Sequence, residues 1–523
     1  GVVLVPIAGG LIVGLMARYG SKAIRGHGIP EAMEQVLTNE SRIPPRITFL
    51  KPLSSAIAIG TGGPFGAEGP IIATGGALGS LVGQIINTSS MERKTLLAAG
   101  AAAGMAATFG SPVSAVLLAV ELLLFEYRPR SLIPVALAAA AATAVRMAAV
   151  GAAPAFAMPD LVQPGGAALA LYTLIGALMG LASVAVTRAV YTVEDSFERL
   201  PLHWMWWPAI GGLAVGVVGY FAPRTMGVGY DNIERILAGS TAGPALLGFC
   251  VLKFVSWAVS LGSGTSGGTL APLFTLGGGL GAVLGGLLAS SAPALGIDPR
   301  IAALVGMAAM FAGASRALLA SVVFAFETTR QPIGLLPLLG GGSAAFLVSC
   351  LLMRNSIMTE KIVRRGVRAL GEYTADYLDQ LRVRDWAARQ VVTLPAAQTV
   401  EATRVWLGSG APGTSHQGFP VLDEAGRLAG VLTRRDLTAA SDPTQRLEQL
   451  LTRKPVVVYD DGSLRDAADR MAHARIGRLP VVARADPSRV LGIITRSDLI
   501  QAHGRRLEQH RRAPRRTRWP KRR

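Results

Sequence analysis

The 523-residue chain reads as an α-helical, multi-pass membrane protein carrying a smaller soluble α/β region behind it. Three observations say so. Half of the residues are hydrophobic and only 16% are charged, against about 25% charged in ordinary soluble domains. Up to about Asn355, apolar segments follow one another, divided by Gly, Pro and few charges. After Met358, charges become dense and short β-branched runs alternate with amphipathic stretches.

In chain order, Gly1 opens inside an apolar run, Val2 to Met16, with no signal peptide before it, and a start downstream of the natural N-terminus is expected. Leu132–Val150, Ala167–Val190 and Leu335–Met353 reach the roughly 20 residues that span a bilayer. Ile71–Ile86 and Val113–Phe125 are shorter and flanked by Gly or Pro. Broken backbone at membrane depth is tolerated only where protein buries it or where it lines a watery cavity, so these segments point to a transport pathway. The Trp204–Trp207 cluster reads as an interfacial belt.

The membrane part contains a repeat. Gly26-His-Gly-Ile-Pro-Glu31 returns as Gly227-Val-Gly-Tyr-Asp231, Gly60-Thr-Gly-Gly63 as Gly262-Ser-Gly-Thr265, and Met105-Ala-Ala-Thr-Phe109 as Met307-Ala-Ala-Met-Phe311, each 201 or 202 residues later. A site between the two halves follows. Three loops have backbone freedom just before an apolar helix: Gly26–Pro30, Gly66–Pro70 and Gly264–Pro272. Converging helix N-termini offer free N–H groups and positive dipole ends, which suit an anion. No Lys or Arg lies within these loops. Glu68 is the exception: charged, it can occupy an anion site, and protonated, it can leave.

The soluble part repeats as well. Gly418–Asp423 followed by Gly430–Leu437 reappears as Gly477–Val482 followed by Gly492–Leu499. Arg364 and Arg365 on its flank favour the cytoplasmic side.

Together these motifs resemble the CLC chloride channels and chloride/proton antiporters, over nearly all of residues 1–366, with repeats at about 1–150 and 166–358. The resemblance implies CLC-type broken helices in an inverted repeat, and transport of chloride or a similar anion, coupled to protons through Glu68. A passive voltage- or pH-gated channel is the alternative. It further implies anion contacts from His27, Gly28, Ile29, Ala67, Gly69, Thr269, Leu270 and Met358, and a homodimer in a cell (inner) membrane with one pathway per subunit. Gly1 then falls in the second or third helix of the family order, and Asn355–Lys361 looks like the start of the last helix. Residues 380–440 and 447–503 are similar to a CBS domain pair, whose Thr433/Asp436 and Thr495/Asp498 could hold an adenine nucleotide.

Departures from the family pattern matter. His27 stands where Ser is frequent, Met358 where a Tyr hydroxyl is frequent, and Ala67 where Arg or Lys is frequent. A first inner acid is matched by Glu121, leaving it as a candidate inner proton route, but the second position is Leu122. Lys51 and Lys253 recur at equivalent positions and read as partners of buried carbonyls or Glu rather than as anion ligands. Glu327 reads as a helix-packing acid.

Other classes fit poorly. The net charge of +18 is half supplied by residues 504–523, a basic tail that suits solvent or anionic lipid better than nucleic acid. Cys250 and Cys350 give neither disulfide framework nor metal spacing, and the six histidines never form a His-Glu-x-x-His zinc signature. Neither a metal nor an enzyme active site is expected.

Overall fold

The structure is a computed structural model that describes residues 1–241, 243–367 and 377–511. Most of the basic tail lies outside the described residues. The chain divides near residue 373 into two units.

In the first unit the helices run α1 (Leu4–Leu15), α2 (Ile29–Thr38), α3 (Pro45–Gly60), α4 (Glu68–Ile85), α5 (Ser90–Phe109), α6 (Pro112–Ala119), α7 (Pro129–Val150), α8 (Gly166–Glu198), α9 (Trp207–Phe221), α10 (Tyr230–Leu237), α11 (Pro244–Gly262), α12 (Leu270–Ser291), α13 (Pro299–Ser315), α14 (Leu318–Thr329), α15 (Leu335–Leu352) and α16 (Glu360–Arg364). Proline opens α3, α6, α7, α11 and α13, where a missing N–H costs nothing. Among the described residues, six helical stretches are long and apolar enough to cross a membrane: Pro129–Val150, Gly166–Glu198, Trp204–Phe221, Pro244–Gly262, Leu270–Ser291 and Pro332–Leu352. Leu137, Val145 and Leu351 stand exposed on such helices, a placement that suits lipid rather than water.

Pairs α1 to α7 and α9 to α15 follow the repeat, and their contacts are reciprocal. A Cβ added to Gly10 would strike the Pro208 carbonyl, and one on Gly212 the Pro6 carbonyl. Within the halves, Gly75 and Gly100 press on each other's carbonyls between α4 and α5, as Gly277 and Gly306 do between α12 and α13. Only a residue without a side chain permits backbones so close. Glu121 accepts from the N–H groups of Leu319 and Ala320 at 3.0 Å each, and Glu327 from those of Val113 and Ser114 at 3.0 and 2.8 Å. Each half thus caps the first turn of α14 or α6 in the other, the self-complementary pattern of a two-fold axis. Helix α8 packs across α11, α13 and α15.

Two segments differ in detail from expectation. The stretch Val113–Phe125 is α6 followed by a π-helical turn, Val120–Leu124, which carries Glu121. Helix α16 begins only at Glu360, because Ser356 and Thr359 bond each other's backbone N–H and hold Ile357–Thr359 in a turn.

The second unit holds α17 (Tyr377–Gln380), α18 (Val383–Trp386), β1 (Leu394–Pro395), α19 (Val400–Gly408), β2 (Gly418–Leu422), β3 (Leu428–Thr433), α20 (Arg434–Ala439), β4 (Val458–Tyr459), α21 (Leu464–Ala474), β5 (Arg478–Val482), β6 (Val490–Thr495) and α22 (Arg496–Arg511). Two sheets, β1-β2-β3 and β4-β5-β6, share one topology: a parallel pair, then an antiparallel pair. Both sheets shift register after the same residue, Val421 or Val481. Residues 382–388, expected in the first repeat, instead pair with the second. Val383 N–H bonds Gly462 O, and Ala388 and Ile493 exchange bonds. The apolar side chain of Val383 belongs to the core of the second repeat, which decides the boundary.

Replacing Glu121 by Leu strands one buried and one part-buried N–H donor at the start of α14. Thermal unfolding in detergent should register a loss of about 3 kcal/mol. Glu327→Leu, whose acceptor site is more exposed, should lose less. An unchanged midpoint for both would refute the reciprocal caps.

Candidate anion pathway

The three glycine loops converge through backbone pairing between the halves. Gly26 N–H donates to Thr265 O at 3.3 Å, and Gly267 N–H to Gly26 O at 3.4 Å. Gly66 and Gly268 exchange two such bonds, at 3.2 and 2.9 Å. Gly28, at φ +93°, packs on the Gly69 carbonyl, and Gly69 packs on the His27 carbonyl. The N-termini of α2, α4 and α12 therefore meet in one place, presenting their unpaired first-turn N–H groups there.

Lysines orient these loops. Lys51 Nζ donates to Ile24 O at 2.8 Å and Gly26 O at 2.7 Å, while Lys253 Nζ donates to Thr225 O at 2.9 Å and Gly227 O at 3.0 Å. The pairs are repeat equivalents, and both ammonium groups bind carbonyls as the sequence suggests. In a trans peptide the following N–H points the other way, so each lysine turns an amide of its loop outward. Cations therefore do stand beside the loops although none lies within them. Glu31 is bound both by the Gly28 N–H at 2.7 Å and by Lys361 Nζ at 2.9 Å. The Arg25 guanidinium lies against Gly264 and over the rings of Trp204 and Trp207, at 4.9 and 5.5 Å from their centroids. The tryptophan cluster thus also clamps a cation.

Glu68 begins α4 and is fully buried. Its Oε1 accepts from the Tyr230 hydroxyl at 2.9 Å. Its Oε2 lies against Gly66, close to its own N–H and that of Ala271 in α12, without a hydrogen bond of good geometry to either. The carboxylate occupies the meeting point of two helix N-termini, where an anion is favoured. Tyr230 carried no weight in the sequence reading. Its only signal was its place in the repeat, where the counterpart is Ile29.

The other expected residues are placed as follows. Ile29, Thr269 and Leu270 are fully buried at the starts of α2 and α12, and Ala67 directly precedes α4. His27 is buried, and neither its Nδ1 nor the Thr269 hydroxyl has a hydrogen-bond partner among the described residues. Met358 is fully buried after Ile357, which is held by Ala314 O through its N–H and by the Tyr191 hydroxyl through its carbonyl. Both Glu121 oxygens accept from the first turn of α14. In the second unit, Thr433 and Asp436 cap α20 by bonding each other, and Thr495 and Asp498 do the same at α22. Among the described residues no group of His, Cys, Asp and Glu is placed to hold a metal.

Comparison with known proteins agrees with this geometry. Residues 9–350 match the family described as voltage gated chloride channel, and residues 409–442 and 447–504 match the CBS domain. The chain is 28% identical to "Chloride channel protein CLC-f" of Arabidopsis thaliana, over 93% of this chain and 71% of that protein. It is 30% identical to the "H(+)/Cl(-) exchange transporter ClcA" of Vibrio campbellii, over 67% of this chain and 76% of the relative. A solved eukaryotic CLC transporter covers 95% of this chain and 89% of its own at a TM-score of 0.63 and 22% identity. A slow cyanobacterial Cl-/H+ antiporter covers 70% and 86% at 0.65 and 23%. At such identities the two structures establish the fold alone. With sequence match, repeat and pathway in agreement, the chain belongs to the voltage gated chloride channel (CLC) family, whose members are channels and transporters rather than enzymes, and it carries a CBS domain pair.

Proposed function

We propose that the protein exchanges chloride or a similar small anion for protons, with Glu68 as the gate. The observation that carries this reading is the buried Glu68 carboxylate, seated where the first turns of α4 and α12 would otherwise hold an anion. A carboxylate in that seat competes with the permeating ion, and protonation removes the charge that keeps it there. The names of similar proteins support exchange: ClcA of Vibrio campbellii is described as an H(+)/Cl(-) exchange transporter. Backbone N–H groups near Gly28, Ile29, Ala67, Gly69, Thr269 and Leu270 serve as the main anion hosts, with His27 Nδ1 as the free side-chain group and Met358 as an apolar wall.

The second reading, a passive channel, is favoured by one feature: Leu122 stands at the inner acid position and Glu121 is tied to α14. Exchange therefore needs an inner route through water rather than through a second carboxylate. The protein would work as a homodimer in a cell (inner) membrane, one pathway per subunit, with the CBS pair on the cytoplasmic side as regulator. An adenine nucleotide, which the CBS pair allows, would have to open the Thr–Asp caps at α20 and α22.

In liposomes under a chloride gradient, Glu68→Gln should abolish proton uptake while anion flux persists. Proton pumping by that variant would refute the gate. In the Glu68→Gln background, His27→Ala should weaken chloride binding roughly ten-fold, the size of a lost hydrogen bond to a charged group. Unchanged affinity would assign His27 to loop structure. Titration of the protein with millimolar adenosine triphosphate should give no heat while the caps hold, and measurable heat would show that they open.

A further inference from the structure

Tyr230 stands on a rigid base. It is the first residue of α10, reached through Gly229 at φ +79°, a conformation that suits glycine. The preceding loop is fixed by Lys253 through Thr225 O and Gly227 O, and by the other half through a 3.0 Å bond from Gly227 N–H to Gly62 O. Its ring packs edge-on against Phe109 of α5, with centroids 5.5 Å apart, and against Phe156 at 6.0 Å. Phe109 is braced in turn by Phe324 of α14 at 5.0 Å, and the Phe156 N–H is bonded to Thr328 O at 2.9 Å. From this base one polar atom, the phenol oxygen, reaches the gate. The pseudo-symmetric counterpart Ile29 has no such group, so the contact breaks the symmetry of the two halves.

We propose that Tyr230 is the latch of the Glu68 gate, a positioning residue whose hydroxyl holds the carboxylate in the anion seat. This rests on the reading of Glu68 as the gate. The ring is walled by Phe109 and Phe156, both tied to α14 behind them, and is held back from following a departing side chain, so the bond exists only while Glu68 is seated. An interaction present in one of two states shifts their balance by its own strength. A hydrogen bond to a charged group then biases the seated state roughly ten-fold. Because the seated carboxylate and the anion compete for the same N–H groups, the latch lowers anion affinity without touching the anion.

Chloride calorimetry on the purified full chain tests this with four proteins: the unaltered chain, Tyr230→Phe, Glu68→Ala, and the double variant. Tyr230→Phe keeps the ring and its packing. It should tighten chloride binding roughly ten-fold when Glu68 is present and change nothing in the Glu68→Ala background. Phe109→Leu, which loosens the wall behind the ring but leaves the hydroxyl, should tighten binding in the same direction by less, and again only when Glu68 is present. Weaker binding in both backgrounds would make Tyr230 an anion ligand and overturn the latch. An equal change in both, or none in either, would reduce it to a structural role. Glu68→Ala that binds chloride no better than the unaltered chain would overturn the gate itself, separately from the latch.

Discussion

Every helix that starts inside an apolar unit exposes N–H groups that must find an acceptor. That constraint organises this protein. At α6 and α14 the acceptors are permanent: Glu327 and Glu121 reach across from the opposite half and bind two amides each. At the starts of α4 and α12 the nearest acceptor is the buried Glu68 carboxylate, which is hydrogen-bonded only by the Tyr230 hydroxyl among the described residues. The same need for an acceptor that locks the halves together in one place leaves, in the other, a buried carboxylate between two helix starts. Glu121 and Glu327 are each fixed on both oxygens, whereas Glu68 is held by one phenol.

The two-fold relation explains much of the rest. Lys51 and Lys253 pull equivalent carbonyls and so turn equivalent loops. Paired glycines bring α4 onto α5 and α12 onto α13 with the same backbone contact. The symmetry fails at one buried pair. Glu68 begins α4 where Leu270 begins α12 in the other half, and it meets Tyr230, whose own counterpart is Ile29. Strict symmetry would repeat this carboxylate–phenol pair in both halves; the Glu68–Tyr230 pair has no counterpart at Leu270 and Ile29.

The charges around the first loop show how neighbours change a group's meaning. Arg25, Lys51 and Lys361 could attract anions, yet each is directed elsewhere: to tryptophan faces, to carbonyls and to Glu31. Their pairing leaves backbone amides, rather than fixed cations, at the meeting point of the helix starts.

Membrane character, the repeat, the three glycine loops, Glu68 and the CBS duplication were all legible in the sequence, because hydrophobic runs, glycine breaks and internal periodicity are local or self-similar patterns. The bounds of α16 were not, since Ser356 and Thr359 settle them by side-chain bonds that composition does not reveal. The allegiance of residues 382–388 to the second CBS repeat was likewise decided by where Val383 is buried. The hydrogen-bond partners of Glu121 were not legible, because they lie 198 and 199 residues away, on α14. Tyr230 was invisible for the same reason. The sequence by itself determined which segments could break and which acid stands at the start of a broken apolar helix. Tertiary structure alone decided what each buried polar group meets, because in an apolar unit a hydrogen bond's value depends on a partner that only folding brings within 3 Å.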